Sequence, residues 1–503
     1  MGPDGAPVCS TVAMPPSASI TKTIRARRRA VVKVMTTADP PDYDQPWQTL
    51  GAETATGSGA IVKTPRGLRV LTNAHVVEGH VFIELRRYGD SQKYVAKVEG
   101  ISHECDLALL TVEATEFFKG TRPFVLGSLP GLGDPVTVLG FPIGGDRLSI
   151  TEGVVSRIDM TPYTQSERDL LTVQIDAAIN AGNSGGPVVR SGRLVGIAFQ
   201  ALEEAEDIGY VIPTPIVKHF LDDIEDGAVD GFPSLGISTQ DLESGAHRKA
   251  LGLPRTQSGV LITHVEYEGS AWRDLEVGDV LLEVEGTAVA SDGTVAFMTG
   301  ARIEYEHLAV MHQLGDTLRV KVWRAGKRQT VELTLRAPSP LVKDPGPDAK
   351  PRFYIFGGLL FVPLTRAYLE TWGEDWRSKA PASLVALHDD GTRSARCHEV
   401  VVVQKVLADK SNRGYHDLES VQIVRAQDHG VRSLRALVRI VESATDEDTY
   451  IRLLASDGTQ IVIDRALALE RQDTILKRYG VPQDRSDDLR TVRRRPARKK
   501  KAT

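Results

Sequence analysis

The chain of 503 residues is too long for one ordinary domain and has room for about three or four. Hydrophobic residues make up 41% and charged residues 25%, which excludes fibrous, collagen-like and wholly disordered classes. The net charge of −5 is unevenly distributed, because residues 1–33 and 490–503 are basic while the residues between them are acidic. The charge therefore does not indicate a nucleic-acid-binding protein as a whole, but the basic ends are candidate interaction or address segments.

Cysteine usage and the N-terminus bear on the compartment. Cys9, Cys105 and Cys397 lie far apart and form no CxxC pair, which favours a reducing compartment over a disulfide framework or a zinc site. Residues 1–29 lack the apolar core of a secretory signal and are predicted to be a disordered lead-in, with an organelle transit peptide as the less favoured alternative. No apolar run reaches the ~18–20 residues that span a bilayer. We therefore expect an intracellular protein.

Short β-type runs separated by Gly and Pro fill residues 30–226. Examples are SGAIV, LRVLTNAHVV, VFIEL, DLALLTV, PVTVLGFP and LVGIAF. Many short strands with turn signals and little helical periodicity favour a barrel or a sandwich. A helix is predicted at the end of this unit, from Pro215 to Ile224, where apolar residues recur at helical spacing.

Two further units of mixed strands and helices follow. The second ends in a predicted hairpin, with LRVKVW and TVELTL around a turn at Ala325-Gly326-Lys327. The third begins with FYIFGGLLFVPL, which predicts a buried strand pair, and it ends in a helix over about 465–479. The predicted divisions are a disordered lead-in (1–29), the first unit (30–226), the second unit (234–337), a Pro-rich linker (338–351), the third unit with its C-terminal helix (352–480) and a basic disordered tail (481–503).

Three short motifs in the first unit carry groups suited to nucleophilic catalysis. They are TNAHVV with His75, DLALL beginning at Asp106, and GNSGGP with Ser184. A serine hydroxyl is a poor nucleophile near neutral pH and needs an adjacent base, which a histidine can provide. The histidine needs a buried acid that fixes its tautomer and stabilises the imidazolium. The three motifs together therefore predict a Ser-His-Asp arrangement.

The glycines beside Ser184 predict a second element of the same chemistry. A Gly-x-Ser-Gly-Gly turn lets the chain curl tightly enough to direct backbone N–H groups at one point, where each donor contributes about 10²–10³-fold in rate. Taken singly, the motifs have ordinary structural interpretations, as a strand-end histidine, a turn aspartate and a loop serine. Their order, His then Asp then Ser on a β-rich chain, is that of the chymotrypsin arrangement.

GNSGGP, NAHVV and DLALL resemble the HtrA/Deg family of ATP-independent serine endopeptidases, and the resemblance covers about residues 45–340, with weaker similarity to 480. It implies a mainly β fold, with a chymotrypsin-like double β-barrel protease domain followed by a PDZ domain and a degenerate second PDZ-like domain. It also implies that His75 is the general base, Asp106 its orienting acid and Ser184 the nucleophile. The implied oxyanion hole consists of Gly182, Asn183 and Ser184.

The resemblance extends to the substrate pocket. Trypsin-like relatives that bind basic side chains carry an acid six residues before the nucleophile, where this chain has Ala178. Asp176 lies two residues too early for that role and is interpreted as a loop or strand-end residue. Cleavage after small aliphatic side chains is therefore expected. The pocket residues that the resemblance implies are Ala178, Ile179, Phe199 and Ala201.

Two PDZ-like modules are expected after the protease domain. LEVGDVLLEVEG (275–286) resembles the core signature of PDZ domains. Leu235, Gly236 and Ile237 match the carboxylate-binding loop, whose N–H groups would bind a peptide C-terminus, and a PDZ-shaped spacer without a ligand is the alternative. The third unit resembles the second module of plant-type Deg proteases but has no VGDV-like stretch. We therefore expect a degenerate PDZ fold that serves assembly or regulation.

The resemblance implies an endopeptidase that degrades unfolded or damaged proteins without ATP, through an acyl-enzyme. The alternatives are a chaperone or peptide-binding scaffold with a latent protease domain, and a nucleic-acid-associated protein recruited through its tail. Family members assemble into trimers and multiples of them, so a homo-oligomer is expected, with contacts near Trp47. Neither a P-loop nor an HExxH motif is present, so no cofactor and no metal are expected.

The basic tail predicts where the protein acts. RRRPARKKK, from Arg493 to Lys501, is typical of a nuclear-import run. We expect the nucleus if the organism is eukaryotic. Otherwise we expect the cytoplasm, with weak contact between the tail and polyanions.

Overall fold

The structure is a computed structural model, and it describes residues 26–143, 145–201, 208–298, 300–445 and 447–490. The side chains of Gln200 and Ala201 are not described. Most of the predicted lead-in and the basic run of the tail lie outside these ranges, so the targeting roles predicted for them stay predictions.

Residues 31–112 form a closed six-stranded barrel, because their alternating apolar residues cover an interior on one face of each strand. The strands pair antiparallel in the order β1-β2-β3-β6-β5-β4. Val32 and Val34, for example, are fully buried, while Lys33 between them is partly exposed. The strands are β1 (Val31–Ala38), β2 (Glu53–Thr64), β3 (Gly67–Thr72), β4 (His80–Arg87), β5 (Tyr94–Ser102) and β6 (Leu107–Val112).

A second closed barrel follows, with the order β10-β11-β12-β9-β8-β7. The helix α1 (Thr214–Asp223) comes directly after it, and a proline in its first turn removes an N–H that would have no partner in the helix. The two barrels confirm the chymotrypsin-like double-barrel fold expected for the first unit. The strands are β7 (Pro135–Gly140), β8 (Ser149–Pro162), β9 (Asp169–Ile175), β10 (Pro187–Arg190), β11 (Arg193–Ala201) and β12 (Gly209–Pro213).

The second unit is a sheet in the order β13-β14-β15-β19-β20, with β16 on β15 and a separate pair β17-β18. Ala325 and Gly326 both have positive φ, +48° and +79°, which is the turn geometry that suits a two-residue hairpin. Its elements are β13 (Ile237–Gln240), α2 (Gly245–Ala250), β14 (Val260–Val265), β15 (Val280–Val284), β16 (Thr287–Ala288), β17 (Thr294–Ala296), β18 (Arg302–Glu304), α3 (Glu306–Val310), β19 (Thr317–Arg324) and β20 (Lys327–Thr334).

The third unit has a sheet in the order β21-β22-β23-β24-β26-β27, with β25 on β24. Asp464 caps its last helix by accepting a hydrogen bond from the Leu467 N–H, 2.8 Å away. Its elements are β21 (Tyr354–Phe356), β22 (Leu359–Pro363), α4 (Arg366–Leu369), α5 (Trp376–Lys379), α6 (Ala382–Asp389), β23 (Val401–Val406), β24 (Val421–Ala426), β25 (His429–Gly430), α7 (Leu434–Ser443), β26 (Tyr450–Ala455), β27 (Gln460–Asp464) and α8 (Arg465–Arg478).

The third unit packs back onto the protease barrels. Arg377 forms a two-pronged ion pair with Glu167 in the β8–β9 turn, with N–O distances of 3.0 and 2.9 Å. The ring of Trp47, in the segment between β1 and β2, meets the ring of Phe353 edge to face, with 5.9 Å between centroids. Trp47, predicted as an oligomer contact, therefore has a packing role inside the chain.

The segment predicted as a Pro-rich linker is attached to the rest of the chain at several points. Leu341 and Val342 are buried in an apolar cluster of the third unit, and Lys343 forms a β-bridge with Thr365. Further along, Ala349 accepts a hydrogen bond from the Tyr43 hydroxyl, 3.0 Å away. Within the ranges that the structure describes, no helix has both the length and the apolar character of a membrane span.

Candidate active site

The three motifs meet between the two barrels. His75 follows β3 of the first barrel, and Asp106 directly precedes β6 of the same barrel. Ser184 lies in the turn before β10 of the second barrel. Gly57 in β2 shows how closely the two barrels approach, since a Cβ added there would lie 2.6 Å from the Val76 side chain and 3.1 Å from the Ser184 carbonyl oxygen.

His75 and Asp106 form a hydrogen-bonded pair. Asp106 Oδ2 lies 2.8 Å from His75 Nδ1, and Oδ1 accepts the His75 backbone N–H at 2.9 Å. The Asp106 side chain is 1% exposed and the His75 side chain 25%, so the acid is buried while the imidazole stays accessible. Because Asp106 binds Nδ1, the tautomer that can accept a proton at Nε2 is favoured.

The pKa of His75 is raised by this environment. Burial acts to lower it, but the charge of Asp106, the hydrogen bond to Asp106 and the charge of Glu78 together more than offset burial. Burial also raises the pKa of Glu78 itself to about 7. A raised pKa of the imidazole is what a base needs if it is to hold a proton transiently during catalysis.

The turn that carries Ser184 depends on glycine. Gly185 has a φ of +82°, and a Cβ there would lie 2.1 Å from the Ser58 carbonyl oxygen. Gly182 has a φ of +92°, and a Cβ there would lie 2.6 Å from the Ile143 nitrogen. Any side chain at either position would therefore collide with backbone and displace the serine.

The Ser184 hydroxyl is directed at a carbonyl rather than at the base. Its Oγ donates to the Phe199 carbonyl oxygen at 3.4 Å, and among the described residues no hydrogen bond joins it to His75. Nucleophile–base hydrogen bonds are often long or absent without substrate and tighten when it binds. Proton transfer to His75 therefore requires the hydroxyl to leave this carbonyl and turn towards the imidazole.

Two of the three residues predicted for the oxyanion hole present free donors. The N–H groups of Gly182 and Ser184 have no acceptor among the described residues. The N–H of Asn183 is used inside the turn, because it donates to the Asn180 carbonyl at 2.9 Å. An oxyanion hole requires two free N–H donors, so Gly182 and Ser184 are available for that role.

Sequence reasoning missed Ser58 and Asn73. The Ser58 hydroxyl donates to the Gly182 carbonyl at 2.7 Å and accepts the Phe141 N–H at 2.8 Å, so it joins the first barrel to the serine turn. The Asn73 amide donates to the Asp106 carbonyl at 2.8 Å. The signals available were Gly57-Ser58-Gly59 in a strand and the asparagine two residues before His75, and neither identifies a partner by itself.

The described pocket residues lie in or beside the second barrel, where Phe199 and Ile179 belong to two different apolar clusters. Phe199 is buried and its ring lies 4.7 Å from that of Tyr163. Ile179 is buried against β12, where a Cβ on Gly209 would lie 2.6 Å from its Cδ1. Ala178 is half-buried, and the side chain of Ala201 lies outside what the structure describes.

Asp176 accepts the Val154 N–H through Oδ1, so its carboxylate is engaged at a strand end.

The residues predicted to bind a peptide carboxylate lie in the second unit, apart from the triad. Leu235 is buried and lines a cavity of about 100 Å³ that Asp169 and Glu306 also line. The Gly236 N–H donates to the Ser234 hydroxyl at 3.0 Å, so it is already occupied. Ile237 begins β13. Within the described part of the chain, no group of three or more His, Cys, Asp or Glu side chains is arranged to hold a metal ion.

Comparison with known families assigns all three units. A model of the trypsin-like peptidase domain matches residues 57–197. Two different PDZ domain models match residues 233–335 and 342–488. The third unit, expected to be a degenerate PDZ fold, therefore has its own recognisable PDZ pattern.

Two curated relatives from Arabidopsis thaliana match nearly the whole chain. Protease Do-like 2, chloroplastic, is 39% identical over 92% of this chain and 75% of its own length. Protease Do-like 4, mitochondrial, is 36% identical over 90% of this chain and 84% of its own length. Among solved structures, a variant of the HtrA-type protease AlgW with a decapeptide is 25% identical, with a TM-score of 0.50, over 64% of this chain and 98% of that chain.

Proposed function

We propose that this chain, which belongs to the Do-like (Deg) family of HtrA-type serine proteases, cleaves unfolded protein chains with Ser184 as nucleophile, His75 as base and Asp106 as orienting acid. The trypsin-like domain and the family make the protein a serine endopeptidase. The observation that supports the residue roles best is the 2.8 Å contact of Asp106 with His75 Nδ1, next to a serine turn with two free N–H groups. Family membership does not favour the alternative of a latent scaffold.

The proposed reaction uses these atoms in two half-reactions. Ser184 Oγ attacks the peptide carbonyl carbon while His75 Nε2 takes the hydroxyl proton, and the N–H groups of Gly182 and Ser184 stabilise the oxyanion. His75 then gives that proton to the leaving amine, and the C–N bond breaks to leave an acyl-enzyme. Water hydrolyses the ester with His75 again acting first as base and then as acid.

Unfolded proteins are proposed as substrates because a protease of this kind needs an extended segment of chain beside the serine turn. The PDZ domains support peptide binding, and we propose that the first of them binds peptide C-termini. The carboxylates of Asp169 and Glu306 line that cavity and repel the carboxylate of a peptide C-terminus. Arg168 also lines the cavity but is paired with Glu104, so this binding requires release of Arg168 or a rearrangement of the lining. Homo-oligomers built from trimers are proposed from the family.

Cleavage after small aliphatic residues is the expected result of mapping the products of casein digestion by mass spectrometry. A half-buried Ala178 beside buried Ile179 offers an apolar site without a counter-charge for lysine or arginine. Ala178→Asp should raise the ratio of cleavage after lysine or arginine to cleavage after aliphatic residues by about tenfold or more, because it introduces that counter-charge. Asp176→Asn serves as the control and should leave the pattern unchanged. Dominant cleavage after lysine or arginine by the unmodified enzyme would contradict this pocket.

Peptidase activity should fall as the pH drops through the pKa of His75, because only a neutral imidazole can accept the Ser184 proton. Asp106 and Glu78 raise that pKa in spite of burial, so the acid limb of kcat/KM should have its midpoint above the usual value of about 6.5. The raised pKa also stabilises the folded state at low pH, and this contribution is lost as the pH rises through the folded-state pKa. Initial rates with a fluorogenic peptide measure the midpoint, and a value below about 6 would contradict the assignment.

A further inference from the structure

The linker between the second and third units passes beside the turns that carry the catalytic base and its acid. Gly346 has a φ of +76°, and a Cβ added there would lie 3.1 Å from His103 Cδ2, so the linker backbone is packed on that imidazole. Three residues after it, Ala349 is held by the hydroxyl of Tyr43 at 3.0 Å. Asp348 lies between these two contacts.

The carboxylate of Asp348 makes two hydrogen bonds to the first barrel. Its Oδ1 accepts the backbone N–H of Gly79 at 2.5 Å, and its Oδ2 lies 2.7 Å from Nε2 of His103. The side chains of Asp348 and His103 are 33% and 22% exposed, so the contact is only partly screened by solvent. The two hydrogen bonds hold the pKa of Asp348 below its usual range although burial acts to raise it, so the group is ionised at neutral pH.

The two partners of Asp348 belong to the turns that carry His75 and Asp106. Gly79 closes the turn after His75, in which the Val77 N–H donates to the Ala74 carbonyl at 2.9 Å. His103 begins the turn before Asp106, and its carbonyl accepts the Asp106 N–H at 3.4 Å. One carboxylate from the linker therefore joins the turn of the base to the turn of its acid.

Glu78, in the turn after His75, interacts electrostatically with both turns and with the linker. Burial raises the pKa of Glu78 to about 7; His103 and His75 act to lower it, while Asp348 and Asp106 act to raise it. The linker, the base and the acid thus share one partly buried group of charges. Asp348 is the member of the group that comes from outside the protease barrels.

We propose that Asp348 is a positioning residue for the His75–Asp106 pair, holding the two turns at the separation that catalysis needs. This inference rests on the catalytic roles proposed above for that pair. A displacement of about 1 Å in a catalytic group costs on the order of 10²-fold in rate. Loss of the Asp348 contacts with Gly79 and His103 therefore lowers the rate of the chemical step even when the protein still folds. The linker of the PDZ units thereby completes the frame of the active site.

Asp348→Ala should lower kcat for a short fluorogenic peptide by about tenfold to hundredfold, with KM within about twofold of the unmodified enzyme. The rate of labelling by a fluorophosphonate should fall in parallel, since this probe reports the nucleophile without needing the peptide site. Tyr43→Phe is the matched control, because it removes the neighbouring linker contact to Ala349 and touches neither catalytic turn. Its kcat and labelling rate should stay within about twofold.

His103→Ala and the double variant Asp348→Ala/His103→Ala test whether Asp348 and His103 act through the same contact. The double variant should lose no more activity than the more affected single variant, because both changes break the same contact. Asp348→Asn keeps an acceptor for the Gly79 N–H and should recover part of kcat, and it replaces Asp348→Ala in every arm if the alanine variant fails to fold.

The outcomes separate this inference from the proposed function. Ser184→Ala should not react with the fluorophosphonate, and labelling that persists in it would overturn the triad itself. If Ser184→Ala is inert while Asp348→Ala keeps the kcat of the unmodified enzyme, the positioning role is wrong. Equal losses in Asp348→Ala and Tyr43→Phe would also overturn it, because docking of the whole linker would then be the cause.

Discussion

Ser184→Ala should abolish casein hydrolysis, with a loss of about 10⁶-fold in kcat, because it removes the only atom that forms the acyl-enzyme in the proposed mechanism. The hydroxyl is not part of the framework of the turn, since its one hydrogen bond among the described residues is the 3.4 Å contact to the Phe199 carbonyl. The variant should therefore fold normally, with a melting temperature close to that of the unmodified enzyme. Steady-state kinetics and thermal unfolding monitored by circular dichroism measure both quantities.

Ser156→Ala is the control for this experiment. Ser156 lies on β8 of the same barrel, exposed and away from the serine turn, so its loss should leave kcat within about twofold. Hydrolysis that persists in Ser184→Ala would remove the serine from the mechanism. An unmodified protein that prevents aggregation of casein yet never cleaves it would instead favour the chaperone or scaffold alternative.

Asp106→Asn should lower kcat by about 10⁴-fold with little change in stability. Asp106 has a φ of +52°, which asparagine tolerates better than other replacements, and an amide oxygen can still accept the His75 backbone N–H. The asparagine NH2 group replaces Oδ2 and donates to His75 Nδ1, so the ring proton is held on Nε2 and the imidazole has the wrong tautomer. The pKa of His75 should also fall, because the charge of Asp106 helps to raise it.

Kinetics and an imidazole titration by NMR distinguish these effects. Asp176→Asn is a matched control, since Asp176 is an exposed aspartate that accepts the Val154 N–H and does not contact His75. A loss below about tenfold in Asp106→Asn would show that Asp106 does not orient the base. Combining the variant with Ser184→Ala should give no further loss, because the two residues act as one unit.

The elements that the sequence predicted well are those defined by local chemistry. Gly182 and Gly185 adopt a left-handed backbone, and the residue types of the GNSGGP motif are enough to indicate a tight turn there. The helix predicted from Pro215 begins one residue earlier, at Thr214, and the C-terminal helix predicted over 465–479 ends one residue earlier, at Arg478. Periodicity and turn residues act over a few positions, so they are readable from the chain.

The Ser58 and Asp348 contacts could not be predicted, because their partners are distant in sequence. Ser58 donates to Gly182, 124 residues later, and Asp348 binds His103 from 245 residues away. An aspartate in a proline-rich segment has the same sequence pattern whether it is solvated or bound to the turns beside His75 and Asp106. Only the docking of the third unit, through contacts such as Arg377 with Glu167, distinguishes the two.

The sequence by itself determined the chemistry and the class of fold. Residue types and their order specify a serine endopeptidase of the HtrA/Deg family, and alternating apolar strands specify barrels. The tertiary structure decided which polar groups contact these residues and that the linker lies against the turns of His75 and Asp106. The reason is physical: hydrogen bonds and ion pairs depend on distances of about 3 Å between atoms, and those distances are set by packing of the whole chain.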